Sequence, residues 1–218
     1  MINISELTIK RINNGIGRNF IIKYHYSKLE GTGVILYFGI FANRKLEGVI
    51  SIGHPIRKKS AMRFYKNAGW NSIMELKRMV LKDTLPRNSE SYCLAKVLKA
   101  LKKIEHIKMI ISFADAVRCG HGTIYQASNF DLIYIRKDDG TKINPVTGEI
   151  RQHIRAQSNK QAVEIGKKWV KLNKGFQILY GKVLRPRDLK HRNYTPLPYK
   201  AIKEAGASMY KGIPIKTN

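Results

Sequence analysis

Residues 75–81, Glu-Leu-Lys-Arg-Met-Val-Leu, and residues 109–115, Met-Ile-Ile-Ser-Phe-Ala-Asp, are two strand-like runs that decide the fold. The second run is apolar almost throughout, as expected for an interior strand covered on both faces. Between the two runs, apolar residues from Leu94 to Ile104 recur at helical spacing with lysines between them, which predicts an amphipathic helix. A short helix at 123–128 and a strand from Asp131 follow, so the order of elements predicts an α/β fold.

The flanking segments add further elements to this prediction. Residues 34–41 and 46–52 are apolar runs around a polar turn, which predicts a hairpin. Residues 176–184 predict a final strand, and a capping box at Ser158 predicts a helix that runs to about Asn173.

The two ends of the chain predict less regular structure. Asn13 to Gly17 is rich in asparagine and glycine, which indicates a turn. Beyond Arg185-Pro-Arg-Asp188 the sequence is rich in Pro, Lys and Tyr, and we expect it to be extended and weakly packed. The predicted organisation is a main domain at 1–190 followed by a basic C-terminal extension at 191–218.

Charge is the strongest compositional feature. The formal net charge is +26, from 41 Lys and Arg against 15 Asp and Glu. Such an excess indicates a polyanionic partner, with nucleic acid as the first candidate, and the alternative is a solvated lysine-rich surface. Residues 151–218 carry 16 Lys and Arg but 3 Asp and Glu, so this third is a candidate clamp on a phosphate backbone. No apolar run is long enough for a membrane span, and we expect a soluble intracellular protein.

The two cysteines do not form a disulfide or zinc pattern. Cys93 falls on the apolar face of the predicted helix, which favours a buried core thiol. Cys119 lies in a Gly/His loop near Asp115 and His121, but this spacing is too loose to predict a metal site.

Several polar residues stand where ligands are commonly bound. The turn before the long helix carries Arg87, and Asn88 or Ser89 is a candidate cap, so an anion would meet an arginine and free backbone N–H groups there. Arg78 stands within an apolar strand, where it either faces solvent or anchors a group in a cleft. Asp115 ends the buried strand, at the edge where open α/β sheets usually bind ligands.

The element order resembles the core of the GNAT acyltransferases. The segment Thr123-Ile-Tyr-Gln-Ala-Ser-Asn-Phe130 is similar to the late helix–strand junction of that fold. The Gly-rich pyrophosphate loop that normally precedes the central helix is missing, and residues 82–91, Lys-Asp-Thr-Leu-Pro-Arg-Asn-Ser-Glu-Ser, take its place. This departure argues against ordinary coenzyme A binding.

Four segments in this order together resemble the Mom family of bacteriophage DNA-modification proteins. They are His25-Tyr-Ser-Lys28, residues 75–81 leading to Pro86-Arg-Asn-Ser-Glu-Ser91, Ser112-Phe-Ala-Asp115, and Gly122-Thr-Ile-Tyr-Gln-Ala-Ser-Asn129. The resemblance covers residues 20–135 and resumes near Tyr180. The segment from about 140 to 174 is interpreted as an insertion.

This resemblance implies a GNAT-like fold with a mixed, mostly antiparallel sheet flanked by helices. It also implies a transferase that converts the exocyclic amine of adenine in phage DNA to a carbamoylmethyl group. In the cytoplasm of the infected bacterium, this modification would protect phage DNA from restriction enzymes. The implied catalytic positions are His25, Tyr26, Asp115 and Tyr125. Together with the turn before the helix, it gives a donor- or phosphate-binding set of Arg78, Arg87, Ser89 and Ser91.

Each role has a structural alternative. His25 is either a general base, since imidazole titrates near neutrality, or a histidine in an aromatic cluster. Asp115 either has a functional role, in which it holds the adenine amine or orients a base, or caps the following loop. Tyr125 either protonates a leaving group or packs the short helix. An adenine in duplex DNA must leave the stack, and the candidate stacking rings, some of which would instead pack in the core, are Tyr24, Tyr26, Phe64, Tyr65 and Trp70.

The product suggests a mechanism in which a glycyl group is first transferred to the adenine amine and then rearranges. The donor would be a glycyl thioester or glycyl-tRNA. A conventional acetyl-CoA-dependent N-acetyltransferase and a non-enzymatic nucleic-acid binder remain as alternatives.

Overall fold

The computed structural model describes residues 2–116, 120–138, 141–152, 159–171, 175–210 and 213–214. These residues group into two compact units. The first unit comprises Met1–Phe113, Ile124–Ile133 and Tyr180–Pro196, and the second comprises Ala114–Thr123, Tyr134–Leu179 and Leu197–Asn218.

The elements are numbered in chain order. The strands are β1 (Thr8–Arg11), β2 (Val34–Ala42), β3 (Lys45–Gly53), β4 (Ile73–Leu81), β5 (Met109–Asp115), β6 (Asp131–Asp138), β7 (Thr141–Ile143), β8 (Ile150–Gln152), β9 (Val170–Lys171), β10 (Gly175–Val183), β11 (Met209–Tyr210) and β12 (Ile213–Pro214). The α-helices are α1 (Asn14–Tyr24), α2 (Lys58–Met62), α3 (Ser89–Lys102), α4 (Thr123–Ala127), α5 (Asn159–Lys168) and α6 (Ala201–Glu204). Two 3₁₀ helices span Ile4–Glu6 and Pro186–His191.

The main sheet has seven strands in the order β1-β2-β3-β4-β5-β10-β6. Strands β1 to β4 pair antiparallel in sequence, whereas β4 and β5 pair parallel. The predicted mixed, mostly antiparallel sheet flanked by helices is therefore confirmed. A parallel pair needs a crossover connection, and α3 provides it between β4 and β5.

The predicted hairpin is also confirmed. Strands β2 and β3 pair from Val34 and Gly53 down to Ala42 and Lys45. The two residues between them, Asn43 and Arg44, have φ values of 48° and 63°. Two successive positive φ angles are typical of the tight turn that matches the twist of a two-residue hairpin.

The prediction of a turn at residues 13–17 was wrong, because this segment begins helix α1. The side chain of Asn13 accepts a hydrogen bond from the backbone N–H of Gly15, so the asparagine caps the helix. Gly17 is needed for packing, since a Cβ at this position would overlap the ring of Tyr37. The helix buries Phe20 and Ile21 against that ring.

Helix α3 follows the predicted pattern. Leu94, Val97 and Leu101 are fully buried, and the lysines of the helix are exposed. Cys93 is buried among them as a free thiol, and burial raises its pKa to about 12. The prediction of a core thiol is confirmed.

The second unit contains a three-stranded sheet of its own, with the order β8-β7-β9. Helix α5 ends at Lys168, several residues before the predicted end at Asn173, because Val170 and Lys171 leave the helix to pair with Ile143 and Lys142. The predicted cap at Ser158 lies outside the described residues.

The prediction of an extended, weakly packed tail after Asp188 was wrong for residues 189–207. A 3₁₀ helix spans Pro186–His191, and Asn193 makes backbone and side-chain hydrogen bonds to the segment around Phe64. Ile202 of α6 is buried, as is Ala207. In the part of the chain that the structure describes, no helix has the length and apolar character that a membrane crossing requires.

Candidate active site

The first feature of the candidate site is the point where strands β4 and β5 separate. Their parallel pairing extends over three residue pairs and ends at Glu75 and Ile111. At the next position, the Oγ of Ser112 lies 3.2 Å from the carbonyl oxygen of Leu76. A buried serine hydroxyl thus makes the polar contact that the diverging strands no longer provide.

Tyr125 reaches this separation from helix α4. Its hydroxyl lies 2.8 Å from the Oγ of Ser112. Its ring packs against Phe130 and against Tyr180, with centroids 5.5 and 5.1 Å apart. Tyr180 is fully buried and accepts a hydrogen bond from Gln126. The phenol of Tyr125 is therefore held in one orientation by a hydroxyl at one end and two rings along its face.

His25 lies directly after helix α1 and is buried. The backbone N–H of Ser27 donates to its Nδ1 at 3.1 Å, and the Ser27 hydroxyl lies 2.8 Å from the same atom. Because Nδ1 accepts from a backbone N–H, the neutral imidazole carries its hydrogen on Nε2. The next residue, Tyr26, stacks on the imidazole at 4.2 Å and is half exposed.

Arg78 connects the loop after His25 to strand β4. Its Nε donates to the carbonyl of Leu29 at 3.0 Å, and one terminal nitrogen donates to the carbonyl of Lys77 at 2.7 Å. Gly31 lies against the guanidinium group. The same stretch of β4, residues 76–78, therefore contacts both Ser112 and the loop that begins at His25.

An irregularity in β4 places a lysine inside the protein at this stretch. Ser51 pairs with Arg78 and Ile52 pairs with Leu76, so Lys77 is an additional residue in β4, as in a β-bulge. The Lys77 side chain is 2% exposed, and its Nζ lies 2.8 Å from a carboxylate oxygen of Glu75. Sequence reasoning missed this buried ion pair, and the charged residues within an apolar strand were its only signal.

A second histidine, His54, directly follows strand β3. Burial, followed by the positive charges of Lys58 and Lys77, lowers its pKa. Its ring stacks on Trp70, with centroids 4.9 Å apart. Its backbone N–H donates to the carbonyl of Gly33, so the loop after His25 is also fixed at its far end.

The start of helix α3 differs from the predicted cap. Asn88 occupies the cap position with a φ of 68°, but its side chain makes no capping hydrogen bond. The hydroxyl of Ser89 is buried and donates to the carbonyl of Pro86, and that of Ser91 donates to the carbonyl of Asn88. Both serines thus donate to preceding carbonyls instead of accepting from helix N–H groups. Arg87 is exposed beside them.

The remaining predicted residues lie as follows. Asp115 ends strand β5 in the second unit and is half-buried. His121, in the same unit, lies 3.4 Å from the hydroxyl of Thr123. Cys119 lies outside the described residues. Among the described residues, no group of three or more His, Cys, Asp or Glu is arranged to hold a metal ion.

The structure separates the predicted stacking rings into two groups. Tyr24, Tyr26 and Trp70 are exposed, whereas Phe64 and Tyr65 are buried in the first unit. A cavity of about 660 Å³ lies elsewhere in that unit, between β1, β2 and α3, and none of the predicted site residues lines it.

Comparison with known proteins adds the family. The family model described as the Mom protein family matches residues 6–208, nearly the whole chain. The chain belongs to the Mom family. A curated relative, the methylcarbamoylase Mom of Escherichia phage Mu, is 38% identical over 130 residues, which are 59% of this chain and 54% of the relative. The match therefore spans about half the length of that relative.

Two solved structures that resemble this Mom-family chain are acetyltransferases. An N-acetyltransferase from Staphylococcus aureus Mu50 superposes with a TM-score of 0.50 at 11% identity, over 82% of this chain and 99% of that one. A GNAT family acetyltransferase from Elizabethkingia anophelis gives a TM-score of 0.46 at 13% identity, over 82% and 98% of the two chains. The fold is GNAT-like, as the sequence predicted, and similarity at this level of identity concerns the fold alone.

Proposed function

We propose that this protein is a transferase that converts the exocyclic amine of adenine in phage DNA to a carbamoylmethyl group. The observation that carries the proposal is the Tyr125 phenol, held by Ser112 where β4 and β5 separate, in a chain of the Mom family. The methylcarbamoylase name of the phage Mu relative supports the same chemistry. The modification would act in the cytoplasm of the infected bacterium and protect phage DNA from restriction enzymes.

The substrate amine must be brought out of the duplex before it can react. An adenine amine is occupied by base pairing, so an enzyme that acts on it must extrude the base or use unpaired DNA. Tyr26 is half exposed beside His25, and Tyr24 is also exposed, whereas the Trp70 ring already contacts His54 and the Nζ of Lys58, which lies 3.0 Å from its centroid. Aromatic rings that are open to solvent near a reactive site are suitable platforms for an unstacked base.

The first proposed step is acyl transfer. The adenine amine attacks the carbonyl carbon of a glycyl ester or thioester, so that a C–N bond forms and the bond to the leaving oxygen or sulfur breaks. The amine loses one proton to solvent, and the leaving group gains one from Tyr125. A positioned acid of this kind contributes a factor of about 10²–10⁴ in rate.

The second proposed step is a rearrangement that needs no further reactant. The free amine of the glycyl group attacks carbon 6 of the purine and closes a five-membered ring. The original bond between carbon 6 and the exocyclic nitrogen then breaks. The original nitrogen leaves the purine as the nitrogen of a carboxamide, and the glycyl nitrogen remains attached to the purine. The atoms balance, because the glycyl and carbamoylmethyl adenines are isomers.

His25 takes a different role here from that of a simple base. Its Nδ1 accepts from the N–H of Ser27, so its neutral form offers an Nε2–H donor. We therefore assign it as a hydrogen-bond donor to an oxygen or nitrogen that gains negative charge during the reaction. Donors that are fixed in a buried site stabilise such charge without reorganisation.

The donor is proposed to bind near the start of helix α3. The hydroxyls of Ser89 and Ser91 are used on carbonyls, which leaves backbone N–H groups of the first turn and the exposed Arg87 for a phosphate. Arg78 is a further candidate for donor binding. A glycyl thioester or glycyl-tRNA would supply the glycyl group, and the sequence before α3 lacks the Gly-rich loop of ordinary coenzyme A binding.

The test uses isotopes and mass spectrometry of nucleosides from bacteria that express the protein. DNA carrying ¹⁵N at the adenine amine is expected to give carbamoylmethyl deoxyadenosine with the label in the carboxamide. If the label stays on the purine, the amine was alkylated directly. This result would exclude the rearrangement but not the modification of adenine. The product is expected to vanish in Tyr125→Phe.

Other products decide between the remaining functions. An acetylated nucleoside, together with tight acetyl-CoA binding, would replace the proposal with a conventional acetyltransferase. A third outcome is that the DNA stays unmodified although the cells contain abundant folded protein and the extracts are supplied with glycyl-tRNA and a glycyl thioester. This result would mean that the protein only binds nucleic acid.

A further inference from the structure

Two basic segments that are distant in sequence meet in the first unit. Residues 57–66 carry five Lys and Arg and no acidic residue. The 3₁₀ helix Pro186–His191 and the residues after it form the second segment, with Arg187, Lys190 and Arg192. The sequence suggested a basic C-terminal third, but it did not suggest that part of this third joins the loop after β3.

Backbone hydrogen bonds join the two segments. The N–H of Lys66 donates to the carbonyl of His191 at 2.7 Å, and the N–H of Asn193 donates to the carbonyl of Phe64 at 3.0 Å. The side-chain amide of Asn193 donates to the carbonyl of Arg63 at 2.8 Å. Both segments are therefore held in a fixed relation, because their main chains pair directly.

Ring and bridge contacts complete the junction. Tyr65 is buried, its ring stacks on that of His191 at 5.6 Å, and its backbone bridges to Arg192. Buried aromatic contacts of this kind exclude water from the junction and make it rigid. The exposed side chains at this junction therefore belong to the folded first unit.

The acidic groups near the second segment are already neutralised. Asp188 is buried and lies 3.6 Å from the guanidinium of Arg185. Arg192 is paired with Asp131 at 3.1 Å. Among the described residues, exposed cations of the two segments that have no acidic partner are Arg57, Lys59, Arg63, Lys66 and Lys190. We call this set the two-segment basic surface.

We propose that the two-segment basic surface binds the phosphate backbone of the DNA substrate. The inference rests on the proposed function, because that function names DNA as the polyanion. Like charges held together on a rigid surface repel one another, and a polyanion relieves this repulsion while it releases its own counterions. The cations are exposed and spread along two segments, which suits successive phosphates of a strand and not one small anion.

The test compares two variants with equal loss of charge. The surface variant is Lys59→Gln/Arg63→Gln/Lys66→Gln/Lys190→Gln. The matched control is Lys96→Gln/Lys99→Gln/Lys102→Gln/Lys103→Gln, which removes four exposed charges from α3 and its C-terminal end. Both should keep the far-UV circular dichroism and melting behaviour of the wild type, because the replaced side chains are exposed.

Affinity for a 20–30 base-pair duplex is measured by fluorescence anisotropy at a series of salt concentrations. Each phosphate contact contributes about 0.9 to the slope of log K against log salt. We expect the slope of the surface variant to fall by about 2–4 and that of the control by less than about 1. Equal losses in the two variants would overturn the proposal, since binding would then follow total charge.

The outcomes also separate this inference from the proposed function. The binding measurement needs no glycyl donor. If the surface variant has a lower slope but the wild-type protein never modifies DNA, the proposed DNA-binding surface is supported and the proposed function is refuted. If the surface variant modifies DNA normally and its slope is unchanged, the proposed DNA-binding surface is refuted and the proposed function stands. A loss confined to transfer RNA, with duplex DNA binding unchanged, would also overturn the proposal.

Discussion

The hydroxyl groups of Tyr125 and Ser112 lie 2.8 Å apart at the point where β4 and β5 stop pairing. Ser112 is buried, and its oxygen also contacts the carbonyl of Leu76. The serine has one hydrogen and can donate to only one of these two oxygens at a time. When it donates to the Tyr125 oxygen, the phenol can direct its own hydrogen to the leaving group of the proposed first step.

Tyr125→Phe is therefore expected to lower the transfer rate by about 10²–10⁴-fold while the melting temperature stays close to that of the wild type. The loss should be larger for a glycyl ester than for a glycyl thioester, because an alkoxide needs protonation more than a thiolate does. Single-turnover rates with the two donors measure this difference. An unchanged rate with both donors would mean that Tyr125 only packs against Phe130 and Tyr180, and equal losses with both donors would mean that its hydroxyl does not protonate the leaving group.

His25 is tested by a pair of substitutions. Gln carries an amide N–H near the position of Nε2 but cannot act as a base at neutral pH. If His25 is a hydrogen-bond donor, His25→Ala should lose about 10²-fold or more in kcat, and His25→Gln should recover most of it. If His25 is instead the general base, Gln and Ala will be equally inactive. Rates for both variants at several pH values decide the question.

Arg78 is expected to position the loop after His25, and this role needs the shape of its guanidinium group as well as its positive charge. Its Nε holds the carbonyl of Leu29, and lysine has no equivalent donor in that geometry. Arg78→Lys and Arg78→Ala should therefore lose activity to a similar degree and should both be cleaved faster by protease within residues 26–31. Arg44→Lys, at the exposed β2–β3 turn, is the control and should change neither. A pure phosphate-binding role would show as a raised KM for the donor in Arg78→Lys with unchanged proteolysis.

Much of the fold followed from hydrophobic periodicity. The order of β4, α3 and β5 was predictable because Leu94, Val97 and Leu101 repeat at helical spacing beside an apolar strand. Asn129, directly after the region of the short predicted helix, has a φ of 55°, a conformation that asparagine often adopts at a helix end. Local patterns of this kind depend only on neighbouring residues, so they are legible in the sequence.

The features that were missed depend on residues distant in sequence. Gly17 indicated a turn, but it is required by the ring of Tyr37 on another element. Lys77 is enclosed because β4 contains an additional residue opposite β3, and nothing in its neighbours marks that irregularity. The segment after β10 is ordered because Asn193 makes hydrogen bonds to the backbone around Phe64. None of these three features can be predicted without knowing which distant residues are in contact.

Cys93 offers a test of core packing that does not depend on the catalytic proposal. Its side chain is fully buried and its pKa is raised to about 12, so little thiolate is present at pH 8. In a Cys119→Ser background, the folded protein should not react with a thiol reagent on the minute timescale, and one thiol should react at once in denaturant. Fast labelling of the folded protein would contradict this packing.

Gly17 provides a final test, because its need can be separated from general helix propensity. Its φ is not positive, so alanine is conformationally allowed, but a Cβ would overlap the Tyr37 ring. Gly17→Ala should therefore lower the free energy of unfolding by about 1–3 kcal/mol, the usual cost of overpacking. Gly166, in helix α5, has open space at its Cβ position, so Gly166→Ala should be neutral or stabilising by up to about 1 kcal/mol. Urea unfolding of both variants measures the contrast, and a Gly17→Ala protein as stable as the wild type would mean that α1 does not pack on Tyr37 as described.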